Sequence, residues 1–102
     1  MYVLVFVSCP DEGEAARIGR MAVENRLAAC ATVIPRARSI YRWKGRIEEA
    51  DEALLMLKTR EELFQRLEKL VAENHPYSVP EIISLKIGEG HTPYLEWIRE
   101  ET

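Results

Sequence analysis

Cysteine and histidine are scarce, with two of each among the 102 residues. Two thiols placed 21 positions apart suit neither a disulfide framework nor a four-cysteine zinc site. The expected compartment is therefore a reducing cytoplasm. Glycine is also sparse, and none of the five sits in a phosphate-cradling loop or a Gly-x-Ser-x-Gly elbow. No His-x-x-x-His or Cys-x-x-Cys pair marks a ready-made metal centre. The longest apolar run, Tyr2 to Val7, is far too short to span a bilayer, and no basic segment precedes it as in a secretory leader. Positive charge is not in excess either. Seventeen acids against fourteen Lys and Arg give a formal charge of -3, so nothing global draws the chain to nucleic acid or an anionic membrane. Amides are depleted, with Asn and Gln totalling three, while Arg outnumbers Lys 10 to 4 and Glu outnumbers Asp 15 to 2. A heat-stable source and a biased genome both produce that pattern.

What remains is the composition of one domain over residues 1–102, 47% hydrophobic and 30% charged. Tyr2 to Ser8 is apolar at nearly every position, as in a strand covered on both faces. Asp11 with Glu14 forms a capping box for a helix ending near Asn25 or Arg26. Leu27 to Trp43 is β-branched and rich in small residues, a strand bent at Pro35, which cannot donate to a ladder. Lys44-Gly45 predicts a two-residue turn and Arg46 to Lys58 a return strand, in a register that sets Arg38 opposite Asp51 and Tyr41 opposite Glu48. Thr59 with Glu62 predicts a second capping box. The helix that follows carries a Leu63, Leu67, Leu70, Val71 stripe and must end at Asn74-His75-Pro76. Glu81 to Ile87 reads as a strand, and Thr92-Pro93 opens a last short helix.

The order β-α-β-β-α-β plus a C-terminal helix predicts an α+β, ferredoxin-like domain: a four-stranded antiparallel sheet with two helices on one face. Seventeen residues before the hairpin turn exceed what so small a sheet needs. Ile40, Tyr41 and Trp43 near the tip have little of their own domain to pack on, which marks a partner surface, most economically another copy of the chain.

Candidate chemistry rests on few residues. Cys30, in Leu-Ala-Ala-Cys-Ala-Thr, reads as a small core residue; Cys9, beside a helix N-terminus where a thiol's pKa can fall, is the better candidate of the two for exposure but reads first as a packed loop residue. His75, in a helix-ending His-Pro-Tyr turn, either satisfies that turn or packs under Tyr77, or ligates Cu²⁺ or Zn²⁺ with a cysteine nearby. His91 reads as surface. Arg36, Arg38, Arg42, Lys44 and Arg46 resemble a nucleic-acid patch until the acids that follow are paired against them across the hairpin. An acylphosphatase-like site would need an arginine after the first strand, where Ser8-Cys9-Pro10-Asp11-Glu12 offers acid.

Several separated segments carry a resemblance that spans nearly the whole chain. Arg26-Leu-Ala-Ala-Cys-Ala-Thr-Val-Ile-Pro35, Ser39-Ile-Tyr-Arg-Trp-Lys-Gly45, Lys58-Thr59, His75-Pro-Tyr-Ser-Val-Pro-Glu-Ile82 and Tyr94-Leu-Glu-Trp-Ile98 resemble, in order, the CutA family of divalent-cation tolerance proteins. The resemblance implies a tight homotrimer built by pairing of the long hairpins, similar in assembly to trimeric PII-type signalling proteins. It implies binding of Cu²⁺ or another divalent cation, none tightly required, and no enzymatic reaction. Family members with a cysteine late in the first strand and a His pair before Pro-Tyr correspond here to Val7, Asn74 and His75. Only His75 is kept, and Cys9 lies two residues along the same strand face. The expected metal ligands are therefore His75, Cys9 and Cys30. A second expectation, by analogy with PII proteins, is an inter-subunit cleft for a small ligand lined by Tyr41, Trp43, Lys58 and Glu81.

Overall fold

β1 (Tyr2–Cys9) alternates strictly: Val3, Val5, Val7 and Cys9 are buried, while Tyr2, Leu4, Phe6 and Ser8 are half-covered. The computed structural model describes every residue from Met1 to Thr102. Asp11 then caps α1 (Glu12–Glu24) by accepting the Glu14 N–H at 2.8 Å. The capping box is only half made, because the Glu14 carboxylate turns to Arg17, also at 2.8 Å. Ala15, Ile18 and Ala22 face the sheet at helical spacing.

β2 (Cys30–Trp43) begins three residues later than its apolar run, because Ala28 and Ala29 are buried in the connection from α1. β3 (Arg46–Arg60) returns after the Lys44-Gly45 turn, where both residues take positive φ. Arg38 pairs with Asp51 and Tyr41 with Glu48 as the charges predicted. The bend at Pro35 is a β-bulge: Ile34 pairs with Leu54 and Ala37 with Glu52, so Pro35 and Arg36 together oppose Ala53. Beyond it, β1 no longer accompanies β3, and residues 37–52 run on as a two-stranded arm. The molecule is accordingly 44 Å long and only 25 × 22 Å across.

The expected capping box at Thr59 does not form. Thr59 still belongs to β3, is fully buried, and donates its hydroxyl to the Leu27 carbonyl at 2.7 Å. A short 3-10 turn (Glu61–Leu63) leads instead into α2 (Phe64–Asn74), which buries Leu67 and Val71. β4 (Ile82–Lys86) pairs with β1, giving an antiparallel sheet of order β2-β3-β1-β4. α1 and α2 pack over one face, enclosing Val3, Val5, Val7, Cys9, Leu55 and Leu57. α3 (Thr92–Glu100) lies against β3 with Ile98 buried, and Arg60 ties its end by donating to the Thr102 hydroxyl and carbonyl.

Helix α1 sits so close to the sheet that a Cβ on Gly19 would meet Ala31 Cβ at 2.9 Å and Leu55 Cδ1 at 3.1 Å. Gly19→Ala gains about 1 kcal/mol of helix propensity. Overpacking costs typically 1–3 kcal/mol. The expected net is a lowered urea midpoint, and a raised midpoint would show that α1 can back away at little cost.

Candidate functional site

The end of β1, the turn after α2 and the root of the arm meet through one side chain. His75 follows α2 with extended backbone, enforced by Pro76. Its buried ring receives the Tyr77 N–H on Nδ1 at 3.0 Å, so the proton sits on Nε2, which donates to the Ser8 carbonyl at 2.7 Å. Tyr77 stacks obliquely on the ring at 4.8 Å and donates its hydroxyl to Glu52 Oε2 at 2.8 Å. Burial and the Glu52 carboxylate both push the Tyr77 phenol well above its ordinary range. The helix-end carbonyl of Asn74 is met by Arg17 instead, at 2.7 Å. Both ring nitrogens of His75, one accepting and one donating, are thus engaged within the subunit.

Cys9 is packed, as the sequence favours, but as the last residue of β1 rather than in a loop: it is fully buried on the helix-covered face of the sheet, which removes the alternative of an exposed thiol with a lowered pKa. Burial first, then the charges of Glu14, Glu52 and Asp11, push its thiol up to about 11 from 9.0. Since the folded value exceeds the unfolded one, the associated stability is complete below pH 9 and disappears as pH rises towards 11. The loss amounts to roughly 2–3 kcal/mol, at 1.36 kcal/mol per pKa unit. Cys9→Ala should flatten that part of the stability–pH profile, whereas an unchanged slope would assign the alkaline loss to Tyr77.

Cys30 is not in the core. It is half-buried on the opposite sheet face, paired across the ladder with Lys58. Lys58 Nζ donates to Thr32 Oγ1 at 2.7 Å and lies 3.7 Å from Cys30 Sγ. Cys30 thus lies on the other sheet face from Cys9, and no group of three or more His, Cys, Asp or Glu side chains is arranged to hold an ion within one chain.

Three of the four expected cleft residues do come together. Tyr41 and Trp43 on the arm face Tyr77, Val79 and Glu81 across a half-open cleft of about 540 Å³, floored by Glu52. Lys58 is absent from it and belongs to the Cys30 cluster. Sequence reasoning missed Glu52 and Tyr77 as cleft residues, although Glu52 is the least expected of burials, an acid only 8% exposed. Its placement within the apolar return strand was the available signal.

Residues 3–101 match the family model described as CutA1 divalent ion tolerance protein. The chain belongs to the CutA1 divalent ion tolerance family. Among its CutA relatives, human Protein CutA is 50% identical over 97 residues, which is 95% of this chain and 54% of the human one. The chain thus spans about half the length of the mammalian CutA sequences it matches. The Divalent-cation tolerance protein CutA of Thermus thermophilus is 45% identical over 102 residues, covering 100% of this chain and 99% of that one. The solved Thermus thermophilus Cut A1 structure superposes with a TM-score of 0.97 over 100% of this chain and 99% of that one, at 45% identity. The periplasmic divalent cation tolerance protein CutA of Archaeoglobus fulgidus, at 34% identity, gives 0.96 over 99% of this chain and 98% of that one. No helix of this CutA1 family member is long and apolar enough to cross a membrane.

Proposed function

We propose that the protein acts in divalent-cation tolerance as a cytoplasmic homotrimer that binds Cu²⁺ or another divalent cation and catalyses no reaction. The observation that carries the assembly is the sheet face away from α1 and α2. Ile34, Ile83 and Leu85 on that face, and Tyr41 and Trp43 continuing it along the arm, are each 40–50% exposed. A contiguous apolar surface of that kind is what a subunit interface leaves behind in one chain. The strand order, with α1 and α2 on one face, supports the ferredoxin-like reading and hence the PII-like plan of three sheets brought together. Two free thiols suit a reducing compartment.

For the cation, His75 is the candidate ligand, through Nδ1 once the Tyr77 N–H is released. Cys9, next in the chain to the Ser8 that holds the ring, is its thiol partner in this reading, Cys30 joins only from a neighbouring subunit, and the remaining positions fall to water. Such an incomplete set predicts modest affinity. The test is electron paramagnetic resonance of Cu²⁺ added under anaerobic conditions to protein carrying His91→Ala. Imidazole nitrogen coupling with one equivalent bound supports His75; a spectrum of oxygen ligands alone rejects it. A second reading, a signalling trimer that binds a small ligand, is favoured by the convergence of Tyr41, Trp43 and Glu81 in one cleft.

A further inference from the structure

We infer that the fold and a divalent cation compete for His75, so that ligation of the ring and anchorage of the arm exclude one another. This rests on the reading of His75 as the cation ligand and adds what controls it. An imidazole is a suitable ligand type, but the lone pair a cation needs, on Nδ1, is the one that accepts the Tyr77 N–H at 3.0 Å. Nε2 offers no easier approach. It carries the proton given to the Ser8 carbonyl at 2.7 Å, and freeing it would move that proton to Nδ1, against the Tyr77 N–H, and break both bonds. A cation therefore enters at Nδ1 only when the Tyr77 N–H has turned away.

The consequence travels because little else holds the turn. Residues 76–80 make no backbone–backbone hydrogen bond, and their anchors are the His75 ring and the Tyr77 hydroxyl on Glu52 Oε2 at 2.8 Å. Segments so sparsely bonded open at low cost. Glu52 stands where β3 leaves β1, one residue before the Cys9–Ala53 pair. Its contact with Tyr77 is the one side-chain hydrogen bond between arm residues 37–52 and the body; those of Arg38 stay within the arm. Moving Tyr77 clear of Nδ1 pulls on that bond, so the arm root loosens when the ring is ligated. Coupling of this kind is reciprocal: a firmly held arm lowers cation affinity, and a weakened latch raises it.

The experiment titrates Zn²⁺, which is diamagnetic and takes imidazole ligands, into the intact protein carrying His91→Ala, so that His75 is its sole histidine. A second protein adds Tyr77→Phe, which keeps the ring and the N–H beside His75 and removes the hold on Glu52. NMR follows the His75 ring nitrogens, the amide of position 77 and the Glu52 carboxyl carbon. In the parent, Zn²⁺ is expected to shift the His75 nitrogens together with Glu52 and the amide, which then exchanges faster with water. Tyr77→Phe should bind Zn²⁺ roughly fivefold more tightly, the equivalent of one ordinary hydrogen bond. Binding in Tyr77→Phe with none in the parent supports the same competition. A His75 shift with the amide and Glu52 unmoved, and equal affinity in both proteins, overturns the coupling and leaves His75 as the ligand. No His75 response in either protein overturns both.

Discussion

Replacing His75 by alanine is expected to lower the unfolding free energy by about 2–4 kcal/mol, from the cost of stranding two buried backbone groups. The Ser8 carbonyl loses its donor and the Tyr77 N–H its acceptor, both at a site only 9% exposed. The loss also spreads. Tyr77 holds Glu52, so an unpinned turn releases the floor of the cleft. Urea unfolding at fixed protein concentration, so that any self-association contributes equally, measures the first effect. Broadening of the Tyr77 and Glu52 resonances reports the second. A change below 0.5 kcal/mol, the range of an ordinary surface substitution, would mean that the ring is not a structural pin and would restore it as a free ligand.

Trp43→Ala is the second large effect. The indole sits near the tip of the arm, 45% exposed in one chain, with no body of its own domain behind it. If three arms close the trimer, the indole is buried there, and truncating an interface tryptophan costs about 2 kcal/mol. That is roughly a thirtyfold rise in the dissociation constant. Sedimentation of the wild type should give three times the 11.8 kDa chain mass, and the variant should dissociate at correspondingly higher concentration. Identical curves for both proteins would place the indole outside the interface.

Local signals carried the fold well. Pro35 announced a bend, Lys44-Gly45 a turn, and the charges of Arg38 and Asp51 a register, and each is where those residues put it. Cys9 belongs to the strand because the alternation Val3, Val5, Val7 continues directly onto it, whereas the helix-start signal at Asp11 points to a loop at that position. Thr59 was misread for a related reason: its hydroxyl finds a partner 32 residues away rather than three. His75 answers to Ser8, 67 residues distant, and no spacing rule reaches that far.

The cleft shows a different limit. Lys58 and Glu52 lie on one strand face, yet six residues of strand at about 3.3 Å each set them some 20 Å apart. A shared strand face does not bring two residues to one place within a chain. The bulge also shifts the phase of β2. Cys30, Thr32 and Ile34 share a face with Ala37, Ser39, Tyr41 and Trp43, which simple alternation from Cys30 would have placed on the opposite side.

The arm has a consequence for the lifetime of the polypeptide. A lone two-stranded ribbon is marginally stable in water. Beyond Ala53 the body reaches this one through the Tyr77 hydroxyl on Glu52, at the root, while the exposed bridges of Arg38 to Glu49 and Asp51 lie within the ribbon itself. Arg38, Arg42, Lys44 and Arg46 place four trypsin-susceptible bonds within it. If the proposed trimer encloses the arm, those bonds become inaccessible in the assembled protein and open only in the lone chain, so resistance to trypsin would then count assembled subunits.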